Sequence, residues 1–367
     1  MMSLASLGNE LYSGRTSIPF VGRRRTWYTL AALIVVGSAV LLATVGLTPG
    51  IDFRGGSELT VTGLPSPQVG PADEVMSDNG LTTGTSVTTM GSSSVRIQTT
   101  ELSKSQLNAV SADLASAYGV EPADVAATTI GPTWSSDVTT RAVRGLLMFF
   151  LLVTLLIWAY FRTWKMALAA LVALVHDVVV TIGVYALSRF EVTPATIIGV
   201  LTILGYSLYD TVVVFDKVRE NTEGFESQTR STYAELANLA VNQSFVRSLN
   251  TSVVGVLPVA SLLVVGTLVL GAGTLSDIAL TLFIGMIAGT LSSLFLATPL
   301  LVDLRSREKA VRSQAKRVAA ARQRRVEEAG DDPEALATLV SAPAASPLRP
   351  GYHRGVSAQP KKRRRQP

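Results

Sequence analysis

The sequence predicts an all-α membrane bundle of six helices with a small α+β domain of ferredoxin-like topology on one side of the membrane. Three observations lead to this fold class. Long apolar runs recur along the 367 residues, of which 48% are hydrophobic and 16% are charged, whereas soluble domains carry roughly 25% charged residues. A polar interval separates the first apolar run from the others. The Arg and Lys residues are distributed unevenly between the runs.

Six apolar runs are each long enough to cross a bilayer as a helix, which needs about 20 residues. The predicted spans are residues 27–47, 143–161, 166–187, 194–215, 251–270 and 275–302. Residues 1–26 carry a run of three Arg residues, 23–25, before the first span, a pattern that signal peptides share. Because this span is too long for a signal peptide and lacks a convincing small-residue cleavage site, we expect an uncleaved helix.

The basic residues predict the orientation. Arg and Lys concentrate in two linkers between spans and after residue 304, where half of the 32 lie. If the first span begins in the cytoplasm, all of these basic segments are cytoplasmic, as the positive-inside rule requires. We therefore expect residues 1–26 and 303–367 inside, the polar interval 48–141 outside, and a helical bundle at 143–302.

The external interval 48–141 contains alternating strand and helix patterns. Strands are predicted at 58–62, 85–89, 94–99 and 125–130, and helices at 71–77 and 103–118. This βαββαβ order is that of the ferredoxin-like, or split βαβ, unit. The sequence therefore predicts a small independent domain between the first and second spans.

Two segments are predicted at the inner membrane surface. Residues 218–250 have the pattern of an amphipathic helix. The tail 303–367 is basic: the part up to residue 328 suits a helix, and the remainder is predicted to be disordered. We expect the tail to contact anionic lipid. We expect no nucleic acid, because a terminal basic cluster alone is weak evidence for it.

Asp210 lies in the fourth predicted span. A carboxylate at the centre of a spanning helix costs roughly 2.5–3.5 kcal/mol on insertion scales. Tyr206 and Ser207 lie one turn earlier on the same side, and Thr211 follows the acid, so a polar stripe must face protein or water. Intramembrane acids are typical of ion or proton paths. The alternative is a buried Asp that only fixes helix packing.

Two further residues are candidates for a proton path. Arg247 precedes the fifth span, with Asn250 and Thr251 one turn further along, and its predicted depth matches that of Asp210. Burial favours the neutral acid and a nearby arginine favours the carboxylate, so such a pair can load and release a proton. The alternative for Arg247 is an interfacial anchor. Asp177 lies in the third span beside His176, and we favour a packing role for it.

The last span contains small residues at a spacing that lets helices approach closely. These are Gly285, Gly289, Ser292 and Ser293. Near the start of this span, Asp277 fits a capping box opened by Thr274.

Enzyme classes are disfavoured by missing motifs. The chain has no cysteine, and it has no zinc-protease, phosphate-loop or nucleophile-elbow motif. The dipeptide Tyr209-Asp210 is shared with intramembrane aspartyl proteases. Those enzymes need a second acid in a Gly-x-Gly-Asp motif. Here Gly-Ala-Gly at 271–273 is followed by Thr274, so the second acid is missing. We expect no enzymatic activity, no metal and no cofactor.

Four longer motifs carry a family resemblance. They are Gly-Ile-Asp-Phe-Arg-Gly-Gly at 50–56, Gly-Tyr-Ser-Leu-Tyr-Asp-Thr-Val-Val-Val-Phe-Asp-Lys-Val-Arg-Glu-Asn at 205–221, Asn-Gln-Ser-Phe-Val-Arg-Ser-Leu-Asn-Thr-Ser at 242–252 and Gly-Thr-Leu-Ser-Ser at 289–293. With these motifs, residues 20–305 resemble the SecF subunits of the SecD/SecF family of bacterial protein-export membrane proteins. The chain departs from that pattern at Leu208-Tyr209, where Ile-Asn is expected, and at Leu291, where Tyr is common.

The resemblance implies half of a resistance–nodulation–division transporter fold, paired with SecD in the bacterial cytoplasmic membrane. It implies that the proton motive force assists secretion through the SecYEG channel, with YajC as a further partner and residues 52–137 contacting the exported unfolded polypeptide. The acid and the arginine of the family's proton path fall on Asp210 and Arg247. Two alternatives are a non-conducting scaffold for the channel assembly and half of a proton-coupled efflux transporter.

Overall fold

The computed structural model describes residues 4–267 and 273–329, which form two compact units. The larger unit comprises residues 23–215 and 247–304. The smaller unit comprises the described parts of residues 1–22, 216–246 and 305–367.

Helices dominate the described residues. They are α1 (Leu4–Ser13), α2 (Arg24–Thr44), α3 (Ile51–Arg54), α4 (Gly70–Asp78), α5 (Lys104–Tyr118), α6 (Pro132–Phe161), α7 (Trp164–Ser188), α8 (Pro194–Asn221), α9 (Tyr233–Val265), α10 (Gly273–Ser292), α11 (Thr298–Ser306) and α12 (Lys309–Ala329). The strands are β1 (Thr48–Pro49), β2 (Gly56–Val61), β3 (Ser86–Met90), β4 (Ser94–Thr99), β5 (Val125–Ile130) and β6 (Glu191–Val192). A π-helical turn, Ser293–Ala297, joins α10 to α11.

Six of these helical segments are long and apolar enough to cross a membrane, judged by length and composition. They begin with α2, α6, α7, α8, α9 and α10, in the part of the chain that the structure describes. The chain is therefore a multi-pass membrane protein, as its apolar runs predict.

The sheet domain, residues 56–130, has the predicted ferredoxin-like topology. Its four strands are ordered β3-β4-β2-β5, and all neighbouring strands are antiparallel. Alternate residues of the central strands, such as Leu59 on β2 and Ile97 on β4, are fully buried and pack in one core with residues of α4 and α5. This period-2 burial follows from the alternation of side chains along a strand. The opposite face of β2 and β4 is polar.

The second glycine of the pair at 55–56 is required by backbone geometry. Gly56 has a φ of +138°, a region that side chains disfavour, and a Cβ there would overlap the carbonyl oxygen of Thr99 on β4. Only glycine lets β2 approach β4 this closely at its first residue. The adjacent glycines thus set the exit from α3 into the sheet.

Helices α8 and α10 run parallel in close contact. At successive turns a glycine of one helix faces a side chain of the other. The facing pairs are Gly199 with Thr281, Ile203 with Gly285 and Ser207 with Gly289. Because glycine has no side chain, the two backbones approach closely, as small residues allow in membrane bundles.

In the smaller unit, side-chain amides hold an extended segment. Asn242 accepts a hydrogen bond from the amide of Ile18 at 2.7 Å and donates to its carbonyl at 3.0 Å. Separately, α12 packs against residues 225–235, where Gln314 donates to the carbonyl of Ser231 at 2.8 Å. The tail is therefore helical as far as Ala329, and its predicted disordered remainder lies outside the described residues.

Several element boundaries differ from the sequence expectation. The first span is Arg24–Thr44 rather than 27–47, and α6 begins at Pro132 rather than 143. Hydropathy marks only the apolar part of a helix, whereas the backbone hydrogen bonds continue through polar turns. The expected amphipathic segment 218–250 is not one helix: residues 218–221 end α8, and residues 233–250 are continuous with the fifth span in α9. Residues 268–270, the predicted end of the fifth span, lie outside the described residues.

We predict that Gly285→Ala destabilises the purified protein, because the new methyl group would overlap Ile203 on α8. Overpacking of this kind costs about 1–3 kcal/mol. The matched control is Gly145→Ala on α6, where nothing lies within 4 Å of an added Cβ. This control should be neutral or stabilising by up to about 1 kcal/mol. Thermal unfolding in detergent measures both, and equal effects would contradict the close approach of α8 and α10.

Candidate functional site

Three helical segments meet at the Asp210 carboxyl group. Asp210 on α8 is 7% exposed. Ser248 on α9 donates its hydroxyl to Oδ1 at 2.5 Å, and Ser293 in the π-helical turn donates to Oδ2. Each carboxylate oxygen therefore has one hydroxyl partner, from a different helix. The carboxyl group thus links α8 to α9 and to the π-helical turn.

Asp177 on α7 forms a second, fully buried cluster. Its Oδ2 accepts hydrogen bonds from Ser207 at 2.6 Å and from Ser292 at 2.9 Å. Its Oδ1 lies 3.2 Å from Nδ1 of His176. The adjacent residues Ser292 and Ser293 thus contact different acids, one each.

The second of these serines begins an irregular turn. Residues Ser293–Ala297 form a π-helical turn between α10 and α11. A π turn holds one more residue than an α turn, and such turns occur often at functional sites. The irregularity begins at the serine that contacts Asp210, so this part of the last span has a locally altered backbone at the carboxyl group.

Arg247 does not contact Asp210 in this structure. Its side chain is exposed, and its Nη2 donates to the hydroxyl of Tyr209 at 3.1 Å. Asn250 is exposed, and the Thr251 hydroxyl donates to the carbonyl of Arg247 at 2.9 Å. These three residues, expected to share the site, lie beside it on the outer side of α9.

The predicted supporting residues of α8 separate into two kinds. Ser207 binds Asp177 rather than Asp210. The hydroxyl oxygens of Tyr206 and Thr211 are buried without a hydrogen-bond partner among the described residues. A buried hydroxyl that lacks a partner costs about 1–3 kcal/mol. The Tyr206 hydroxyl lies next to Gly255 on α9, at 3.3 Å from where a Cβ would be.

Ser248 was not anticipated from the sequence. It belongs to a stripe of serines at four-residue spacing on α9. These are Ser244, Ser248 and Ser252, and all three are buried. Ser252 continues the polar contact to α10, where its Oγ lies 2.5 Å from the hydroxyl of Thr290. The spacing places them on one helix face, a signal that was available in the sequence.

Asp277 does not take part in the predicted capping box. Helix α10 begins at Gly273, so Thr274 lies inside its first turn rather than before it. The Asp277 carboxylate accepts instead from the Thr193 hydroxyl, with its Oδ2 at 3.0 Å, and Tyr185 donates to the Asp277 carbonyl at 2.8 Å. Asp277 therefore links α10 to the residue that precedes α8.

At this end of the bundle the sheet domain contacts the connection between α7 and α8. Strand β1 pairs with β6 in parallel. Glu191 on β6 accepts hydrogen bonds at 3.0 Å from both Arg96 and Gln98 on β4. Nearby, burial raises the pKa of Asp52, and the negative charge of Glu191 raises it further, whereas a backbone hydrogen bond lowers it. In the part of the chain that the structure describes, no group of three potential metal ligands of the His, Cys, Asp or Glu type occurs.

The fold and the buried acids define a class of protein: a multi-pass membrane protein with the architecture of half an RND-type transporter. The family model "Protein export membrane protein SecD/SecF, C-terminal" matches residues 110–307, and the "SecD/SecF GG Motif" matches residues 40–62. The chain belongs to the SecD/SecF family.

Individual relatives agree with this assignment. Over 97% of its length, the chain is 42% identical to the protein translocase subunit SecF of Streptomyces coelicolor, covering 98% of that protein. It is 44% identical to SecF of Mycobacterium tuberculosis over 84% of the chain and 72% of that protein. The crystal structure of SecDF from Thermus thermophilus matches 80% of the chain with a TM-score of 0.70 and 29% identity. The chain spans only 39% of SecDF.

The raised pKa of Asp52 predicts a pH dependence of stability. The unfolded chain releases this proton near pH 3.8 and the folded chain at higher pH, so stability falls as pH rises between the two values. Asp52→Asn should remove this fall and raise the melting temperature at neutral pH. Melting curves between pH 4 and pH 7 test it, with exposed Asp73→Asn as the control. A difference between Asp52→Asn and wild type that does not grow with pH would contradict the argument.

The contact between Ser248 and Asp210 predicts an energetic coupling. In a double-mutant cycle with Ser248→Ala and Asp210→Ala, we expect a coupling energy of about 1–2 kcal/mol, the upper range for hydrogen bonds within membranes. The control cycle pairs Ser248→Ala with Asp177→Ala, which bind different partners, and should be additive within about 0.5 kcal/mol. Reversible unfolding in mixed micelles measures both cycles. Equal coupling in the two would argue against the hydrogen bond.

Proposed function

We propose that the chain is the SecF-type subunit of the Sec protein-export machinery and uses the proton motive force to promote polypeptide translocation. The observation that carries the proposal is the buried Asp210 carboxyl group held by hydroxyls from two other helical segments. An acid that served packing alone would add an insertion cost of roughly 2.5–3.5 kcal/mol to a contact that uncharged polar residues can make. A titratable group is useful there only if its charge changes.

Protonation changes the hydrogen bonds at this site. As a carboxylate, Asp210 accepts from both Ser248 and Ser293. As a neutral acid, it carries one O–H donor. One of the two serine hydroxyls must then rotate so that it accepts a hydrogen bond from this O–H, or it must move away from the acid. The contacts of α8 with α9 and with the π-helical turn therefore differ between the two charge states. This gives a bistable element that proton binding can bias.

Arg247 supplies a competing partner in this proposal. It directly precedes Ser248 on α9, and adjacent residues point about 100° apart around a helix. Rotation of α9 by one residue would exchange the serine hydroxyl for the guanidinium at Asp210 and favour the carboxylate. Movement of one charge through the membrane field supplies about 2.3 kcal/mol per 100 mV, enough to bias such a step.

The contacts of Asp177 are compatible with two roles. Ser207, Ser292 and His176 surround its carboxylate, which supports a packing role for this acid. Its neighbours Ser292 and Ser293 connect it along one helix to Asp210, which supports a second position on the proton path. Substitution with Asn, which retains the hydrogen bonds, separates the two roles.

The extent of the match supports one of the proposed partners. SecDF of Thermus thermophilus is a single chain of which this protein spans 39%, so we propose that a separate SecD supplies the other half. The SecYEG channel, YajC, the exported unfolded polypeptide and anionic lipid at the basic tail complete the assembly. We place both termini in the bacterial cytoplasm and the sheet domain outside the cytoplasmic membrane.

A scaffold function is the competing proposal. The carboxyl group of Asp210 already has a hydroxyl partner at each oxygen, which a purely structural acid in the SecYEG–SecD assembly would also require. A scaffold needs hydrogen bonds but no change of charge. Asparagine at position 210 therefore discriminates between the two functions.

Asp210→Asn should abolish the part of precursor export that depends on the proton gradient and leave ATP-driven export in place. The test uses membrane vesicles that contain the full chain with SecD and SecYEG, with and without an uncoupler. The control is Asp216→Asn, an exposed acid on the same helix, which should retain gradient dependence. Export by Asp210→Asn that still responds to the uncoupler would favour the scaffold.

A further inference from the structure

Arg96 lies on the polar face of strand β4 and contacts β6. Its Nη1 forms an ion pair with Glu191 Oε2 at 3.0 Å, in which the two side chains are only 16% and 17% exposed. Its Nε also donates to the sulfur of Met90 at 2.9 Å. A largely buried ion pair of this kind is fixed in geometry, unlike a solvent-exposed pair. Arg96 therefore holds the polar face of the sheet against β6.

The same guanidinium lies against the start of α10. A Cβ added to Gly273 would be 2.6 Å from Arg96 Nη2. A side chain at position 273 would displace the guanidinium from this position. One side chain of the sheet domain thus contacts both the connection into α8 and the first residue of α10.

These two helices also carry the Asp210 site. Thr193, two residues after Glu191, binds Asp277 on α10 through its hydroxyl. Helix α8 then runs from Pro194 past the acid. Ser293, in the π-helical turn that follows α10, donates to the same acid. A helix transmits a displacement along its length because its backbone is fully hydrogen-bonded. Arg96 therefore contacts the beginning of α10 and the segment before α8, the two helices whose later turns lie at Asp210.

We propose that Arg96 is a positioning residue that couples rearrangement of α8 and α10 to movement of the sheet domain. The inference rests on the proposed function, because it assigns Arg96 to the transmission of the Asp210 step. The sheet domain is connected to this point by the β1–β6 pair, in which the Gly50 amide donates to the Val192 carbonyl at 2.9 Å. The Arg96–Glu191 ion pair is a second link between the sheet domain and β6. We call these two contacts, the β1–β6 pair and the Arg96–Glu191 ion pair, the joint.

The first test separates proton movement from export. In vesicles containing the full chain with SecD and SecYEG, Arg96→Gln should retain Asp210-dependent proton uptake but lose gradient-dependent export by roughly 2- to 30-fold, the range of mutational effects on coupling. Lys104→Gln, at the start of α5, is the control and should change neither. A purely structural role would reduce proton uptake and export together. Parallel loss, or unchanged export, would overturn the proposal.

The second test is rescue. Because the chain has no cysteine, Pro49→Cys with Val192→Cys gives a unique pair at facing positions of β1 and β6. Neighbouring strands lie about 4.8 Å apart, within the range that a disulfide spans. Oxidation in the Arg96→Gln background should restore gradient-dependent export, and reduction should remove it again. If the oxidised protein does not recover gradient-dependent export, the proposal that the joint transmits movement is wrong.

The third test does not need proton movement. If Asp210→Asn retains uptake, the proposed function fails, but the joint can still be measured by amide hydrogen exchange in the same complex. Arg96→Gln should accelerate exchange of the Gly50 amide, and exchanging the two charges, with Arg96→Glu and Glu191→Arg together, should return it towards the wild-type rate. If the Gly50 amide exchanges at the same rate in Arg96→Gln as in the wild type, the role of Arg96 in the joint is disproved, whatever the outcome for Asp210.

Discussion

The contact between the Asp210 carboxyl group and hydroxyls from α9 and the π-helical turn is the interaction on which the rest of the bundle depends. A carboxyl group in a spanning helix requires polar partners from protein, because the surrounding hydrocarbon supplies none. The chain meets this requirement with serines, which are small enough to let three helical segments converge. The glycines that face α8 along α10 have the same consequence, since they permit the close approach that brings Ser293 to the acid.

Much of this architecture could be predicted from the sequence. The apolar runs indicate the spans, and the alternation of polar and apolar residues in the interval after the first span indicates the sheet domain. Asp210 is recognisable because a charged residue in an apolar run is costly. What the sequence could not supply is the rotation of each helix about its axis. Ser248 and Arg247 are adjacent, and only the packing of α9 decides which one faces the acid.

The same limit explains the outcome at Asp277. Its position near a helix start and its spacing from Thr274 fit a local capping pattern, which depends on residues close in sequence. The observed partner, Thr193, is distant in sequence and belongs to the connection into α8. Local rules describe a helix end only when no tertiary partner competes. Here a buried junction between the bundle and the sheet domain provides such a partner, and it is the junction where Arg96 is found.

The central claim is that the Asp210 carboxyl group changes its protonation state within the membrane. Infrared difference spectroscopy on the complex in vesicles, comparing a maintained proton gradient with its collapse, observes this change directly. The account predicts a carboxylic acid band that differs between the two conditions and is absent from Asp210→Asn. No difference band, or one that persists in Asp210→Asn, would contradict it.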